Sequence, residues 1–442
     1  MAVRIAIVGA GSGYMPGVIR GLLHRSADLA GSELVCHDTN AEHLELMARL
    51  ARGMFAARGA DFTVRTETTL KAALDGADFV FTTFRPGGLP GRHLDESIPL
   101  RHGVVGQETA GPGGFLMACR SVPVLLEIAR VLEEVAPDAW IVNYTNPTNI
   151  VTDAVSRHTG ARIIGLCDQN IGDTEMWAEL LGLPADGLEI DWIGLNHATW
   201  AERVRLRGDD ISAEVAARLA TLGPPDAAAT PHRDPIRMAE VGRALGVLVN
   251  SYSKYYFFHD DVVAELRAKG TTRAQDIMAM LSGYYAGIAE QAALPDPDPS
   301  GERGGGEHGE FAVDTICAIA GDEGRRMIVN TRNRGAIADL PDDAIVEVPA
   351  VVGRGGPTPL VMGGLPGPVR GLTQAVHAYE RLAADAAVTG DERVALRALM
   401  AHPFVRSKRV AEAILAEGLA AHRADLPQFR GTPAAAEGVP RP

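Results

Sequence analysis

Short β-branched runs alternate with amphipathic helical patterns through the first half of this chain, and this alternation limits the possible folds more than any other feature. Runs typical of strands occupy residues 3–8, 33–36, 78–83, 140–143, 162–166 and 188–193. Helical patterns lie between several of them, at residues 41–58, 70–74 and 122–135. Because parallel neighbours need crossover helices, the alternation predicts βαβ units and a mainly parallel sheet.

The second half of the chain has a different pattern. Residues 212–293 and 371–421 are mostly helical, residues 301–306 form a glycine-rich loop, and residues 345–352 read as a strand. We therefore expect two domains followed by a tail that is disordered because it is rich in proline, alanine and glycine. Their predicted boundaries are residues 1–195, 196–430 and 431–442.

Composition narrows the class of protein. A chain of 442 residues with 46% hydrophobic residues has ample material for a core, and its net charge of −14 argues against non-specific nucleic-acid binding. The cysteines stand singly along the chain, at Cys36, Cys119, Cys167 and Cys317. This spacing is typical of a reducing cytosol, and no apolar segment is long enough for a membrane span. We expect a cytoplasmic protein.

A glycine-rich loop follows the first predicted strand and precedes a helical pattern at residues 16–23. The loop contains three glycines and a serine: Gly9, Gly11, Ser12 and Gly13. Glycines let the backbone approach a pyrophosphate closely, and the helix N-terminus adds unpaired N–H groups. Tyr14 stands in the place of the third glycine of the dinucleotide-binding pattern. A tight strand-to-helix turn is therefore the alternative interpretation.

An acidic residue, Asp38, ends the second predicted strand. Its carboxylate can accept hydrogen bonds from ribose hydroxyls and would repel a 2′-phosphate. Together with the glycine loop, Asp38 predicts nucleotide binding, with NAD favoured over NADP. The alternative is a solvated aspartate at a strand end.

Polar side chains also follow four later strands, at Arg85, Asn146, Asp168 and His197. We expect them to converge, because the carboxyl ends of parallel strands form the ligand crevice. Cys167 and His197 are in addition a candidate metal pair, whose few protein ligands would suit a catalytic site. Taken alone, a single cysteine is more often a core residue and a single histidine a hydrogen-bonded structural one.

The densest aromatic cluster lies at residues 250–259, in a chain with only 5% aromatic residues, and includes Tyr252. Most such clusters are core packing. A tyrosine can also act as a base if a nearby cation lowers its pKa. Arg303, in the glycine-rich loop, is either an anion-binding residue or a solvated one.

Together these segments resemble glycoside hydrolase family 4, the NAD- and divalent-metal-dependent glycosidases, and look most like its bacterial 6-phospho-β-glucosidases. The resemblance covers nearly the whole chain. Its most specific segments are residues 85–89, 106–114, 143–147, 194–197, 329–333, 340–343 and 346–349. The implied fold class is α/β: a Rossmann-type domain like that of lactate and malate dehydrogenases, followed by a mostly helical α+β domain.

The resemblance also implies roles for individual residues. Cys167 and His197 match the family's ligands for a divalent metal, typically Mn²⁺, and Tyr252 matches its catalytic base. Asn146 matches a sugar-contacting position, and Arg85 and Arg303 match positions near the substrate phosphate. The implied reaction hydrolyses 6-phospho-glucosides: NAD⁺ oxidises C3, Tyr252 removes the C2 proton, the glycosidic oxygen is eliminated, and water adds before the steps reverse.

Two departures from the family pattern leave the substrate open. Asp168 stands where phospho-β members usually carry Asn, and it resembles the candidate general acid of phospho-α members. His308-Gly309 replaces a usual Tyr-Ser. The alternatives are therefore a preference for the α-anomer or a substrate without the 6-phosphate.

A hydroxy-acid dehydrogenase shares the fold but fits this sequence less well. Its catalytic histidine is expected in a Gly-x-His-Gly-Asp setting, whereas His197 lies in Gly-Leu-Asn-His-Ala. The expected partners are a small sugar phosphate and further copies of the chain in a homodimer or homotetramer, with no nucleic acid and no membrane.

Overall fold

The computed structural model describes residues 1–223, 233–299 and 306–430. Two predictions fall elsewhere: Arg303 and the tail at residues 431–442 lie outside the described residues.

Strands β1 to β12 are Arg4–Val8, Ser32–His37, Phe62–Glu67, Phe79–Thr82, Trp140–Asn143, Arg162–Gly165, Leu188–Leu195, Ala198–Leu206, Asp209–Asp210, Arg325–Arg332, Ile345–Gly353 and Gly356–Pro359. Helices α1 to α8 are Met15–His24, Ala41–Ala57, Leu70–Leu74, Gly88–Arg101, Gly111–Val135, Thr148–His158, Gln169–Leu181 and Ser212–Thr221. Helices α9 to α16 are Arg233–Leu245, Ser253–Phe257, His259–Lys269, Arg273–Gln291, Gly306–Ala320, Gly367–Thr389, Glu392–Ala401 and Lys408–Ala421. A short 3₁₀ helix, Pro427–Arg430, ends the described chain.

The first six strands form a parallel half-sheet in the order β3-β2-β1-β4-β5-β6. This is the strand order of the Rossmann fold, in which the chain reverses direction across the sheet between β1 and β4. Ligands bind in such sheets at the carboxyl ends of the strands beside this reversal. The predicted glycine loop, which follows β1, therefore lies at the position where a ligand crevice is expected.

The sheet continues beyond β6 through β10, β11, β7, β8 and β9. Single register pairs make both junctions: Asn330 of β10 with Gly165 of β6, and Glu347 of β11 with Gly194 of β7. Strands β10 and β11 are thus inserted between β6 and β7, although they come much later in the chain. The sheet crosses the boundary at residue 195, and the division into domains there stays a prediction.

Hydrophobic packing also joins the two halves of the sequence. Ile5 of β1 and Val18 of α1 belong to one buried cluster with Ile316 of α13 and Val329 of β10. Strands β3, β8, β9, β10 and β12 were not predicted, whereas the predicted strands lie within two residues of those in the structure. Within the described residues, no helix is both long enough and apolar enough to cross a membrane.

Candidate active site

The loop after β1 is held against two neighbouring strands. The backbone N–H groups of Gly9 and Ala10 both donate to the carbonyl of His37, at 2.9 and 3.0 Å. Gly9 has a φ of +97°, and a Cβ there would lie 2.5 Å from the carbonyl oxygen of Thr83. Only glycine fits this conformation at this distance, so the close approach of the loop to β4 depends on Gly9.

Asp38 holds the same loop from the end of β2. Its Oδ2 accepts a hydrogen bond from the Gly11 N–H at 2.8 Å, and its Oδ1 accepts one from the Asn40 N–H at 2.8 Å. A carboxylate has about four acceptor positions, so two backbone donors leave room for hydroxyl donors. The arrangement fits the adenosine ribose of a dinucleotide.

Two tyrosines of α12 contact the loop from the opposite side, and sequence reasoning missed both. The Tyr284 hydroxyl donates to the Gly13 carbonyl and the Tyr285 hydroxyl to the Gly11 carbonyl, each at 2.8 Å. The Tyr285 ring stacks on His43 with centroids 3.8 Å apart. The sequence feature that could have indicated these two residues is an adjacent tyrosine pair in a chain with few aromatic residues.

One cleft of about 720 Å³ joins the glycine loop to the polar strand ends. Its wall includes nine of the residues predicted from the sequence: Gly9, Gly11, Ser12, Gly13, Asp38, Arg85, Asn146, Cys167 and Asp168. The predicted convergence at the carboxyl ends of the strands is therefore present. Cys167 borders the cleft, whereas the rings of His197 and Tyr252 are not part of this wall.

Cys167 and His197 come together although they follow different strands. The Sγ of Cys167, after β6, lies 3.6 Å from the Nε2 of His197, in the turn between β7 and β8. Burial lowers the pKa of His197 to about 3, so the imidazole is neutral, as a metal ligand must be. Burial, with Glu347 and Asp168 nearby, raises the pKa of the Cys167 thiol well above its ordinary value. A nearby cation would favour the thiolate.

The spacing of this pair fits a single metal ion. Bonds of about 2.3 Å to sulfur and 2.0–2.1 Å to nitrogen, at angles of about 90–110°, separate the two donor atoms by about 3.1–3.6 Å. No group of three or more His, Cys, Asp or Glu side chains in the described chain is arranged to hold a metal. The protein thus offers two ligands here, which leaves positions open for substrate oxygens or water.

Tyr252 packs directly on this pair. Its ring lies parallel to that of His197, with centroids 3.8 Å apart and planes 5° from each other, and Tyr255 meets it edge-on at 5.4 Å. The Nε2 of Gln107 donates to the Tyr252 hydroxyl at 3.5 Å. Burial raises the pKa of Tyr252 well above its ordinary value. The structure brings the predicted base and both predicted metal ligands into one cluster, while their roles stay predictions.

Three charged side chains also line the cleft: Arg85, Arg92 and Glu108. Arg85 forms an ion pair with Glu108, and Glu108 also binds Arg92 at 2.9 Å. Arg92 contacts Glu96 as well, at 2.7 Å. The two arginines are therefore balanced by two glutamates, and an anionic ligand would compete with Glu108 for Arg85.

Asn146 and Asp168 are the remaining predicted residues on the cleft wall. The Thr148 hydroxyl donates to the Oδ1 of Asn146 at 3.2 Å, which leaves the amide N–H₂ to face a ligand. Asp168 is the N-cap residue of α7, and its side chain does not cap the helix. Asp168 thus lies beside Cys167 at the start of α7 and on the cleft wall.

Comparison with known proteins identifies the family. The sequence profile described as family 4 glycosyl hydrolase matches residues 4–183, and that of the family 4 glycosyl hydrolase C-terminal domain matches residues 192–405. The chain belongs to glycosyl hydrolase family 4. Among its family 4 relatives, a probable 6-phospho-β-glucosidase of Bacillus subtilis is 38% identical over 436 residues, which cover 96% of this chain and 98% of the relative.

Solved structures from family 4 have the same fold. A 6-phospho-α-glucosidase from gut microorganisms, in complex with NAD and Mn²⁺, matches 97% of this chain and all of its own with a TM-score of 0.87 and 28% identity. The 6-phospho-β-glucosidase of Thermotoga maritima, with NAD and glucose-6-phosphate, matches 96% of this chain and 99% of its own with a TM-score of 0.84 and 30% identity.

A lactate dehydrogenase of Eimeria maxima shares the fold at 16% identity and a TM-score of 0.56, covering 88% of this chain and 96% of its own. The predicted fold class, a Rossmann-type domain with a mostly helical α+β domain, is thereby confirmed.

Proposed function

We propose that this protein is a glycosidase that hydrolyses 6-phospho-glucosides with the help of NAD and a divalent metal such as Mn²⁺. The observation that carries the proposal is the cluster of Cys167, His197 and Tyr252 beside the cleft that also contains the glycine loop. Relatives with this family's fold bind NAD, Mn²⁺ and glucose-6-phosphate. A hydrolase needs both a nucleotide site and an open metal site only if the cofactor takes part in the reaction.

The residues predicted from the sequence provide a binding position for each cofactor in or beside the cleft. Gly9, Gly11, Ser12 and Gly13 would hold the pyrophosphate and Asp38 the adenosine ribose, while Cys167 and His197 would hold the metal. When bound, NAD⁺ supplies a reversible hydride acceptor and the metal a Lewis acid next to the sugar hydroxyls. The chain's own residues then orient the sugar, exclude water and move protons.

Tyr252 is the residue assigned to remove the proton from C2 of the sugar. Its raised pKa means that the phenol is protonated unless a positive charge is present. Its position against His197 places the hydroxyl close to any cation held by that histidine. Deprotonation of Tyr252 is therefore coupled to occupation of the metal site.

Asp168 is the residue assigned to protonate the leaving glycosidic oxygen. It lies next to Cys167 in the sequence and lines the cleft. This position favours a second candidate, a preference for α-linked substrates, since a general acid beside the metal suits an axial leaving group. Asn146 would contact the sugar hydroxyls, and Arg85 and Arg303 the 6-phosphate.

We further propose a cytoplasmic location and a homodimer or homotetramer. The free cysteines favour a reducing compartment, because no disulfide links them. Helix α12 and the turn after it leave Met278, Met280 and Leu294 exposed. Apolar surface of this kind is commonly covered by a symmetric subunit interface.

The proposal is tested with four chromogenic substrates: p-nitrophenyl 6-phospho-β-glucoside, its α-anomer and the two unphosphorylated glucosides. We expect NAD⁺- and Mn²⁺-dependent release from at least one phosphorylated substrate, and EDTA should abolish it. Cys167→Ala should remove Mn²⁺ binding and activity, whereas Cys317→Ala, which alters a buried cysteine of α13 away from the cleft, should keep both. Release that survives EDTA, or no release from any substrate, would contradict the mechanism.

A further inference from the structure

The segment at residues 106–114 has no role in the proposal so far, although it is among the most specific segments of the sequence. It leads into α5 and packs tightly against the start of that helix. A Cβ on Gly113 would lie 2.1 Å from the Gln107 carbonyl oxygen, and one on Gly114 would lie 2.6 Å from that of Thr109. The backbone of Gln107 and Thr109 is thus held in place by contacts that leave no space for side chains.

The side-chain amide of Gln107 has a defined orientation. One end faces the backbone N–H groups of Thr109 and Ala110, at 2.5 and 2.8 Å. Two N–H donors require an acceptor, so this end is the oxygen, Oε1. The other end, Nε2, then donates to the Tyr252 hydroxyl.

The same oxygen determines where the Thr109 hydroxyl points. Thr109 Oγ1 lies 2.9 Å from Gln107 Oε1 and 3.0 Å from His197 Nδ1. Gln107 Oε1 has no hydrogen of its own, so the hydrogen between the two oxygens belongs to Thr109. The lone pairs of Thr109 are left to accept a hydrogen bond from His197.

We propose that Gln107 and Thr109 are positioning residues that fix His197 in the tautomer protonated at Nδ1. A neutral imidazole has a single N–H, so a hydrogen at Nδ1 leaves the lone pair at Nε2. Nε2 is the atom that faces Cys167 Sγ at 3.6 Å. The pair therefore holds the histidine ready to accept a cation before the cation arrives.

This inference rests on the proposed metal site, but its first test needs neither metal nor substrate. In the protein labelled with ¹⁵N-histidine, long-range ¹H–¹⁵N correlation spectra distinguish the two neutral tautomers, and His197→Asn assigns the signal. We expect the wild-type protein to show the Nδ1–H form at His197. An Nε2–H form in the wild-type protein would overturn the proposal.

Two matched variants test whether the Thr109 hydroxyl sets the tautomer of His197. Thr109→Val keeps the shape but removes the acceptor, and should shift His197 toward the Nε2–H form. It should also weaken Mn²⁺ binding by about 10- to 100-fold, the effect typical of losing a partner of a metal-bound histidine. Thr109→Ser retains the hydroxyl and should match the wild-type protein in both measurements.

The metal measurement uses the NAD-loaded protein, with free Mn²⁺ followed by electron paramagnetic resonance. An unchanged tautomer and an unchanged Mn²⁺ affinity in Thr109→Val would overturn the inference. If Thr109→Val does not fold, the Gln107→Glu variant tests the inference instead. Glutamate keeps an acceptor oxygen at this position, so His197 should remain in the Nδ1–H form. Loss of the Nδ1–H form in Gln107→Glu would contradict the arrangement.

Failure of the proposed function gives a different result. A wild-type protein that binds no Mn²⁺ and cleaves no substrate would refute the glycosidase, whatever tautomer His197 adopts. A wild-type protein that binds Mn²⁺ with His197 protonated at Nε2 beforehand would refute only the role of Gln107 and Thr109.

Discussion

At the scale of single residues, Tyr252 depends on its surroundings for any chemical role. It stacks on His197, receives a hydrogen bond from Gln107 and meets the edge of Tyr255. These contacts fix the ring, and the same burial keeps the phenol protonated in the absence of a positive charge. A tyrosine held in this way needs a positive charge beside it before it can act as a base.

Replacing Tyr252 with Phe should therefore abolish proton removal while leaving the cofactor sites intact. We expect kcat to fall by about 10²- to 10⁴-fold, the contribution typical of a general base. Affinities for NAD⁺ and Mn²⁺ should stay within about threefold of wild type, because the ring still packs on His197. Steady-state kinetics and isothermal titration calorimetry measure the two effects.

Tyr255→Phe is the matched control, since it makes the same change three residues later and should retain most of the activity. Loss of NAD⁺ binding together with activity in Tyr252→Phe would show that Tyr252 serves the structure rather than the reaction.

At the scale of elements, β11 joins β10 to β7 in the sheet and carries a buried carboxyl group into the interior. Glu347 is 2% exposed, and its oxygens accept hydrogen bonds from the amides of Asn196 and Asn330 at 3.2–3.5 Å. Burial raises its pKa from 4.5 to about 7. The Oδ1 of Asn330 has no hydrogen-bond partner within the described structure, so a protonated Glu347 has an acceptor nearby.

This raised pKa predicts the pH dependence of stability. Between pH 4.5 and about 7 the folded protein holds a proton on Glu347 that the unfolded chain has lost, so the free energy of unfolding falls as pH rises. Glu347→Gln removes this dependence. Relative to that variant, the free energy of unfolding of the wild-type protein should fall by about 3 kcal/mol between pH 4.5 and pH 8.

Urea denaturation of both proteins at pH 4.5 and pH 8 measures this difference. A gap between wild type and Glu347→Gln that is equal at the two pH values would mean that Glu347 ionises normally in the folded protein.

At the scale of the whole molecule, the parallel half of the sheet is covered by segments from far along the chain. Helix α13 packs on α1, where Arg25 pairs with Asp314 at 2.6 Å. Strand β10 extends the sheet beside β6, and Tyr284 and Tyr285 of α12 hold the glycine loop. The nucleotide end is thus built from both halves of the sequence.

A fragment of residues 1–195 should therefore be unable to fold by itself. It lacks α12, α13 and β10, so it exposes apolar residues of α1 and the edge of β6. We expect no cooperative thermal transition and no NAD⁺ binding, whereas the full chain should show both. Calorimetry measures the thermal transition and NAD⁺ titration measures binding. A fragment 1–195 that melts cooperatively and binds NAD⁺ would show that these residues form an autonomous domain.

Local features of the sequence were sufficient to predict five of the six strands of the parallel half-sheet, the glycine loop and Asp38. These depend on short-range periodicity and on backbone conformation, which nearby residues control. Strand β3 was missed because its residues are half-exposed or exposed, so its hydrophobic pattern is weak. Strand β10 was missed because it begins with two exposed arginines.

Cys167 and His197 were a candidate metal pair because each follows a predicted strand, whereas only the family resemblance linked Tyr252 to them, since nothing local connects residues so far apart in the chain. Cys167 and His197 approach each other in the assembled sheet, where register pairs through Asn330 and Glu347 connect Gly165, at the end of β6, to Gly194, near the end of β7. Gln107 and Thr109 had no assigned role until their contacts were visible. The sequence by itself determined the elements with strong local periodicity, because local interactions suffice for those, and only tertiary packing decided which side chains meet.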